Sequence, residues 1–200
     1  MNVRPVALLL LLSVTACGSP SAGQQLTLAP TSSSSRPPAP TTSPCPEGGV
    51  LVTALSGDAA MGLRVLTLQM RNCGTAPYTV AGYPDLRLLD EDGDVLDVEV
   101  QRGSAGVSRI DSFEVPPQEI TLQPGDTAKT GLVWRNTYDD TTDPPQVGTR
   151  IDIAPAVGRP RQTFMPRLGP NGEPWAEDMP PVTVDLGSTG KLGVSPWTRS

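Results

Sequence analysis

The residues best suited to chemistry in this chain are acidic, and they fall in two short stretches. In "LLDEDGDVLDV" Asp90, Glu91, Asp92 and Asp94 surround Gly93, and in "YDDTTDPP" Asp139, Asp140 and Asp143 lie within five positions. Clustered carboxylates suggest calcium, but a calcium loop of the EF-hand type wants glycine at its sixth position and glutamate at its twelfth. The first stretch has glycine at the fourth. Asp92-Gly93 between two apolar runs instead reads as a hairpin turn, with a weak exposed calcium site as the other reading. Paired carboxylates also serve glycoside hydrolysis, and such pairs meet only in the fold.

The chain contains no histidine. That removes Ser-His-Asp and Cys-His catalysis, histidine zinc sites and the commonest general base. Lys129 and Lys191 are the two lysines, and neither stands in an S-x-x-K motif. No catalytic residue, metal ligand or cofactor is assigned, and the expectation is a protein that is not an enzyme. The formal charge is −6. Without a basic stripe to neutralise phosphates, nucleic acid is not an expected partner.

Three cysteines are present, and each has a separate reading. "MNVRPVALLLLLSVTAC" opens with one positive charge at Arg4, continues with an apolar core and ends in small residues, the plan of an export signal. The apolar run is well short of the roughly 20 residues that span a bilayer. Val14-Thr15-Ala16-Cys17 resembles the lipobox of bacterial lipoproteins. The resemblance implies that residues 1–16 are a signal peptide, that cleavage makes Cys17 the new amino terminus, and that its sulfur carries diacylglycerol. More than one acyl chain suffices for stable anchoring. Residues 17–44, "CGSPSAGQQLTLAPTSSSSRPPAPTTSP", are rich in Ser, Thr and Pro and poor in hydrophobes, and read as a disordered linker.

Residues 45–200 read as one β domain. Leu66, Leu68 and Met70 alternate with Thr67, Gln69 and Arg71, and Leu96, Val98 and Val100 alternate with Asp97, Glu99 and Gln101. "EITLQPGDTAKTGLVW" reads as a hairpin about Pro124-Gly125, with Ala128, Thr130, Leu132 and Trp134 on one face. Further strands are expected in "TRIDIA", "RQTFM" and "VTVDLG", and no stretch has a helical period. The fold expected is an all-β, Ig-like antiparallel sandwich of about seven to nine short strands. Cys45 and Cys73 are symmetric about residue 59, inside the turn-forming "SGDAAMG". A disulfide between them would clasp the open end of the first hairpin.

"LQMRNCGTAPYTVAGYPDLRLLDEDGDVLDV", followed by "LQPGD", a hairpin-closing tryptophan and "IDIAP", resembles the uncharacterised 4232 domain family of actinobacterial exported lipoproteins. The R-N-C-G-T turn, the G-Y-P triplet at residues 82–84 and L-x-P-G-D carry the likeness. It implies a β-sandwich with an envelope address and no established activity. Many members have further cysteines in the second half, whereas this chain has none after Cys73.

Tyr83, Tyr138 and Trp175 stand in loop-forming stretches and are candidate contact residues for a sugar ring or peptide, or alternatively covers over one end of the sandwich. Trp197 either pins the carboxyl terminus or frays with it. The expectation is a monomeric binding module, lipid-anchored at the extracytoplasmic face of the cell membrane, whose partner is an envelope protein or cell-wall polymer. A carboxylate-based hydrolase of wall glycan and a passive structural module are the alternatives.

Overall fold

A computed structural model describes residues 45–140, 142, 144–169 and 179–200. Cys17, Asp143 and Trp175, like the signal and linker, lie outside the described residues. The described residues form β-strands and one 3-10 turn, Asp111–Phe113, with no α-helix among them. Thirteen strands are present among them, more than the seven to nine expected, because several are only two to four residues long.

The first layer is built on a hairpin. Strands β1 (Val50–Ala60) and β2 (Leu63–Asn72) pair antiparallel and turn at Met61-Gly62. Both turn residues have positive φ, 48° and 80°, the combination of a two-residue type I′ turn whose twist matches that of the strands. β2 pairs with β7 (Thr127–Arg135), β7 with β12 (Lys191–Val194), and β12 with β5 (Glu99–Arg102). The β5–β12 pair is parallel, a departure from the antiparallel sandwich expected. β13 (Thr198–Arg199) continues along β7 after an interruption at Ser195 to Trp197.

The second layer contains the sheet β10 (Gln162–Phe164), β9 (Arg150–Ala154) and β4 (Asp85–Leu89). Two small pairs complete the fold: β3 (Tyr78–Ala81) with β6 (Glu119–Leu122), and β8 (Val147–Gly148) with β11 (Val184–Asp185).

Alternation places the core. Leu66, Leu68 and Met70 of β2 and Ala128, Thr130, Leu132 and Trp134 of β7 are all buried, as their spacing predicts. They join Leu86, Leu88, Ile151, Ile153 and Leu122 in a continuous core, the last five drawn from β4, β9 and β6. The second alternating run fares differently. Only Glu99–Arg102 is a strand, and Val100 is 40 % exposed, since β5 is the last strand of its sheet and turns that side chain outward.

"EITLQPGDTAKTGLVW" is not a hairpin. The turn at Gln123–Asp126 exists, closed by the Asp126 N–H donating to the Gln123 carbonyl at 2.9 Å, with Gly125 at φ 92° as a type II turn requires. Its arms go to different sheets: β6 pairs β3, and β7 pairs β2 and β12. Local spacing specifies the turn, whereas strand partners are chosen by distant chain.

Cys45 and Cys73 are bonded, with Cα atoms 5.5 Å apart. The clasp differs in detail from simple symmetry. The hairpin register pairs Val50 with Asn72, so the ladder centres on Met61-Gly62 rather than residue 59. The ladder position opposite Cys73 is Gly49, whose carbonyl accepts the Cys73 N–H at 3.0 Å. A turn closed by the Gly49 N–H on the Pro46 carbonyl, at 3.1 Å, folds Cys45 back to reach its partner.

Candidate functional site

The motif residues are structural first. Asn72 of R-N-C-G-T is buried, and its side-chain amide donates to the carbonyls of Ala76 and Leu122, each at 2.9 Å. Its oxygen accepts the Gly74 N–H at 3.0 Å. One side chain thus ties β2, the following turn and β6 together, which explains an amide at the edge of a core. Asp126 of L-x-P-G-D accepts the Gln123 N–H at 2.9 Å and faces Arg199. Gly82 of the G-Y-P triplet accepts the Trp197 N–H at 2.9 Å. Trp197 is buried, with its indole N–H on the Pro155 carbonyl at 2.7 Å, so the terminus is pinned.

The acidic stretch at Asp90 is a turn. Asp90 Oδ1 accepts the N–H groups of Asp92, Gly93 and Asp94 between 2.8 and 3.0 Å. The Arg150 guanidinium donates to the Asp90 and Glu91 carbonyls, filling the space beside the loop with a cation. In the second acidic stretch Asp140 accepts both the backbone and hydroxyl donors of Thr142, which hold its carboxyl below the usual range. Among the described residues no three His, Cys, Asp or Glu side chains converge as a metal site.

Tyr83 and Tyr138 are not brought together. Tyr83 is half-buried, with the Arg102 guanidinium 5.5 Å from its ring centroid, beside a small cleft of about 190 Å³. Tyr138 is 53 % exposed, and its hydroxyl donates to Asp185 Oδ2 at 2.6 Å. That bond to a carboxylate, with lesser contributions from desolvation and the nearby charge, raises the phenol above its ordinary range.

Asp185 leads to the main cleft, of about 730 Å³. Arg64 and Trp134 line it, with Asp58, Asn136, Asp185 and Leu168. Its position follows from the register. Arg64 and Trp134 are cross-strand partners in β2 and β7, two residues beyond the partners Leu66 and Leu132. Period two therefore puts an arginine and an indole on the core-facing side, where the sheet runs out of apolar cover. The Asp185 carboxylate is committed, taking the Tyr138 hydroxyl and the Gly187 N–H. Asp58 accepts the Ala59 N–H at 2.7 Å. Arg64 donates to the Leu63 carbonyl at 3.2 Å and makes no ion pair among the described residues. Sequence reasoning missed Arg64 as a site residue. Its signal was an arginine in phase with Leu66, Leu68 and Met70.

A second polar cluster, also missed, lies on the outer face of the β10–β9–β4 sheet. Asp152 stands between Ile151 and Ile153 and is paired in register with Arg87 on one side and Thr163 on the other. Its Oδ2 accepts Arg87 at 2.5 and 3.0 Å and Arg161 at 2.8 Å, and Arg161 also bridges to Asp85 at 2.6 Å. Burial by itself raises this carboxyl, but the arginine hydrogen bonds outweigh it and hold the group below the usual range.

Residues 45–198 match the family described as a domain of unknown function, DUF4232. The chain belongs to this family. No curated protein and no solved structure matches the chain significantly. In this DUF4232 domain Asn72 and Asp126 of the quoted motifs hold turns and sheet junctions, while Trp134, the tryptophan quoted with them, lines the cleft.

Proposed function

We propose that this chain is a lipid-anchored binding protein of the cell envelope. Cys17 carries the lipid, residues 17–44 give reach, and residues 45–200 present a ligand site at the Arg64–Trp134 cleft. The observation that carries the binding reading is that cleft: about 730 Å³, within the common range of roughly 300–1,000 Å³ for ligand sites, with apolar walls and an arginine lacking an acidic partner among the described residues. Tyr138 does not line the cleft but bonds Asp185, which does, and this supports it over Tyr83 as a contact residue.

Binding is better supported than hydrolysis. A carboxylate-based glycosidase needs two free carboxyls, one to give a proton and the other to act as base or nucleophile. Of the cleft's two described carboxylates, Asp185 has both oxygens engaged and Asp58 has one on the Ala59 N–H. Glu114, Asp140 and Asp152 are all held low, and Glu114, Asp140 and Asp152 do not line the cleft. The lipobox-like V-T-A-C supports the anchor, and the partner proposed is an envelope protein or wall polymer, bound by a monomer.

Intact mass of the protein recovered from membranes of a native or related host tests the anchor. A mature chain beginning at acylated Cys17, with two thiols alkylated only after reduction, is expected. Recovery of a chain with unmodified Cys17 from the soluble fraction refutes it. Loss of co-sedimentation with purified cell-wall polymer on substitution of Arg64 tests the binding site.

A further inference from the structure

We infer that the Arg64–Trp134 cleft takes a carboxylate carried on a short aliphatic body; this rests on the reading of the cleft as a ligand site. Arg64 sits in the phase of the core-facing residues of β2, partly buried and without an acidic partner among the described residues. The two carboxylates lining the same cleft do not pair with it, and Asp185 is already engaged twice. A guanidinium that keeps most of its donors unspent presents a planar fork suited to two carboxylate oxygens.

Trp134 supplies an independent observation. It lines the cleft, is 4 % exposed, and its indole N–H is buried without an acceptor. Buried donors are nearly always satisfied, so this indole N–H, held just behind the cleft wall, is a polar group that an acceptor reaches only if the wall shifts. Among the described residues the remaining wall carries the aliphatic side chains Leu66, Leu168, Pro181 and Val182 beside the polar Asn136 and Thr183, which suits a methylene or small branched body. A free aliphatic acid and the carboxyl end of a peptide share this chemistry.

The test is titration of the full-length protein in detergent micelles, followed by the indole N–H resonances, with Trp134 assigned by substitution. The probes are hexanoate and N-acetyl-leucyl-alanine, each against its neutral amide. Saturable shifts of the Trp134 resonance with an acid, at least tenfold weaker with its amide and lost in Arg64→Met, are expected. A response to hexanoate alone identifies a free acid, and a response to the peptide alone identifies a chain terminus. Equal binding of acid and amide overturns the carboxylate inference while leaving the cleft a ligand site. No shift with any of the four probes overturns the inference and removes the cleft's support for binding. Should Arg64→Met fail to fold, the acid-to-amide ratio on the unsubstituted protein still decides.

Discussion

Removing the Cys45–Cys73 bond gives a prediction whose size follows from the chain. The bond spans a sequence separation of 28. In the chain-entropy description, closing a loop of that length restricts the unfolded state by about 3.5 kcal/mol, which for a domain of this size is a fall in Tm of about 7–14 °C. The folded state keeps the Gly49 carbonyl's bonds from Cys73 and Gly74, so the loss is charged mainly to the unfolded chain. The perturbation is Cys45→Ser with Cys73→Ser, avoiding a free thiol. The assay is urea unfolding at fixed pH, compared with the parent protein under oxidising and reducing conditions. Reduced parent and double variant should coincide, both about 3.5 kcal/mol below the oxidised parent. A loss under about 1 kcal/mol would refute the entropic reasoning, and would mean that residual β1–β2 pairing already holds the two ends near each other when unfolded.

Other outcomes follow from individual contacts. Asn72→Asp replaces two donated bonds by an acceptor facing the Ala76 and Leu122 carbonyls, and should cost about 3–5 kcal/mol in denaturant unfolding, far beyond an exposed Asn→Asp change. Trp197→Phe keeps most of the buried ring but orphans the Pro155 carbonyl, and should lose about 1–3 kcal/mol with earlier proteolysis at the carboxyl terminus. Asp152 has a folded pKa below its unfolded value near 3.9, so its contribution is complete above about pH 4 and is lost as pH falls through the lower folded value. Asp152→Asn should therefore lower stability at neutral pH and flatten the acid limb. Added salt should weaken the Arg87 share, since that side chain is half exposed. Tyrosinate absorbance on raising pH should show two of the three tyrosines ionising late, Tyr78 because of its burial and Tyr138 because of Asp185, and Asp185→Asn should bring Tyr138 alone back toward the ordinary range.

Short-range pattern was enough for much of this domain. The alternation in "RVLTLQMRN" names the buried face because a pleated strand sends neighbouring side chains to opposite sides, and Leu66, Leu68 and Met70 obey it. The cysteine pair was likewise legible, since two cysteines remained for the folded part and flanked one hairpin. The same alternation holds at Leu96 and Val98, which pack against the core, and fails at Val100. An edge strand offers a single covered face only where another layer lies over it, and period two carries no information on that cover.

Composition and order along the chain, by themselves, determined the all-β class, a turn within residues 56–62 and another at Gly125, the disulfide partners and the absence of histidine chemistry. Each of these depends on neighbours or on counts. Tertiary structure alone decided that β6 and β7 part company, that Asp152 meets Arg87 and Arg161, and that Arg64 and Trp134 line one cleft with Asp185. Those depend on which strands lie side by side. Strand pairing is set by burial summed over segments distant along the chain, a quantity that no local spacing contains.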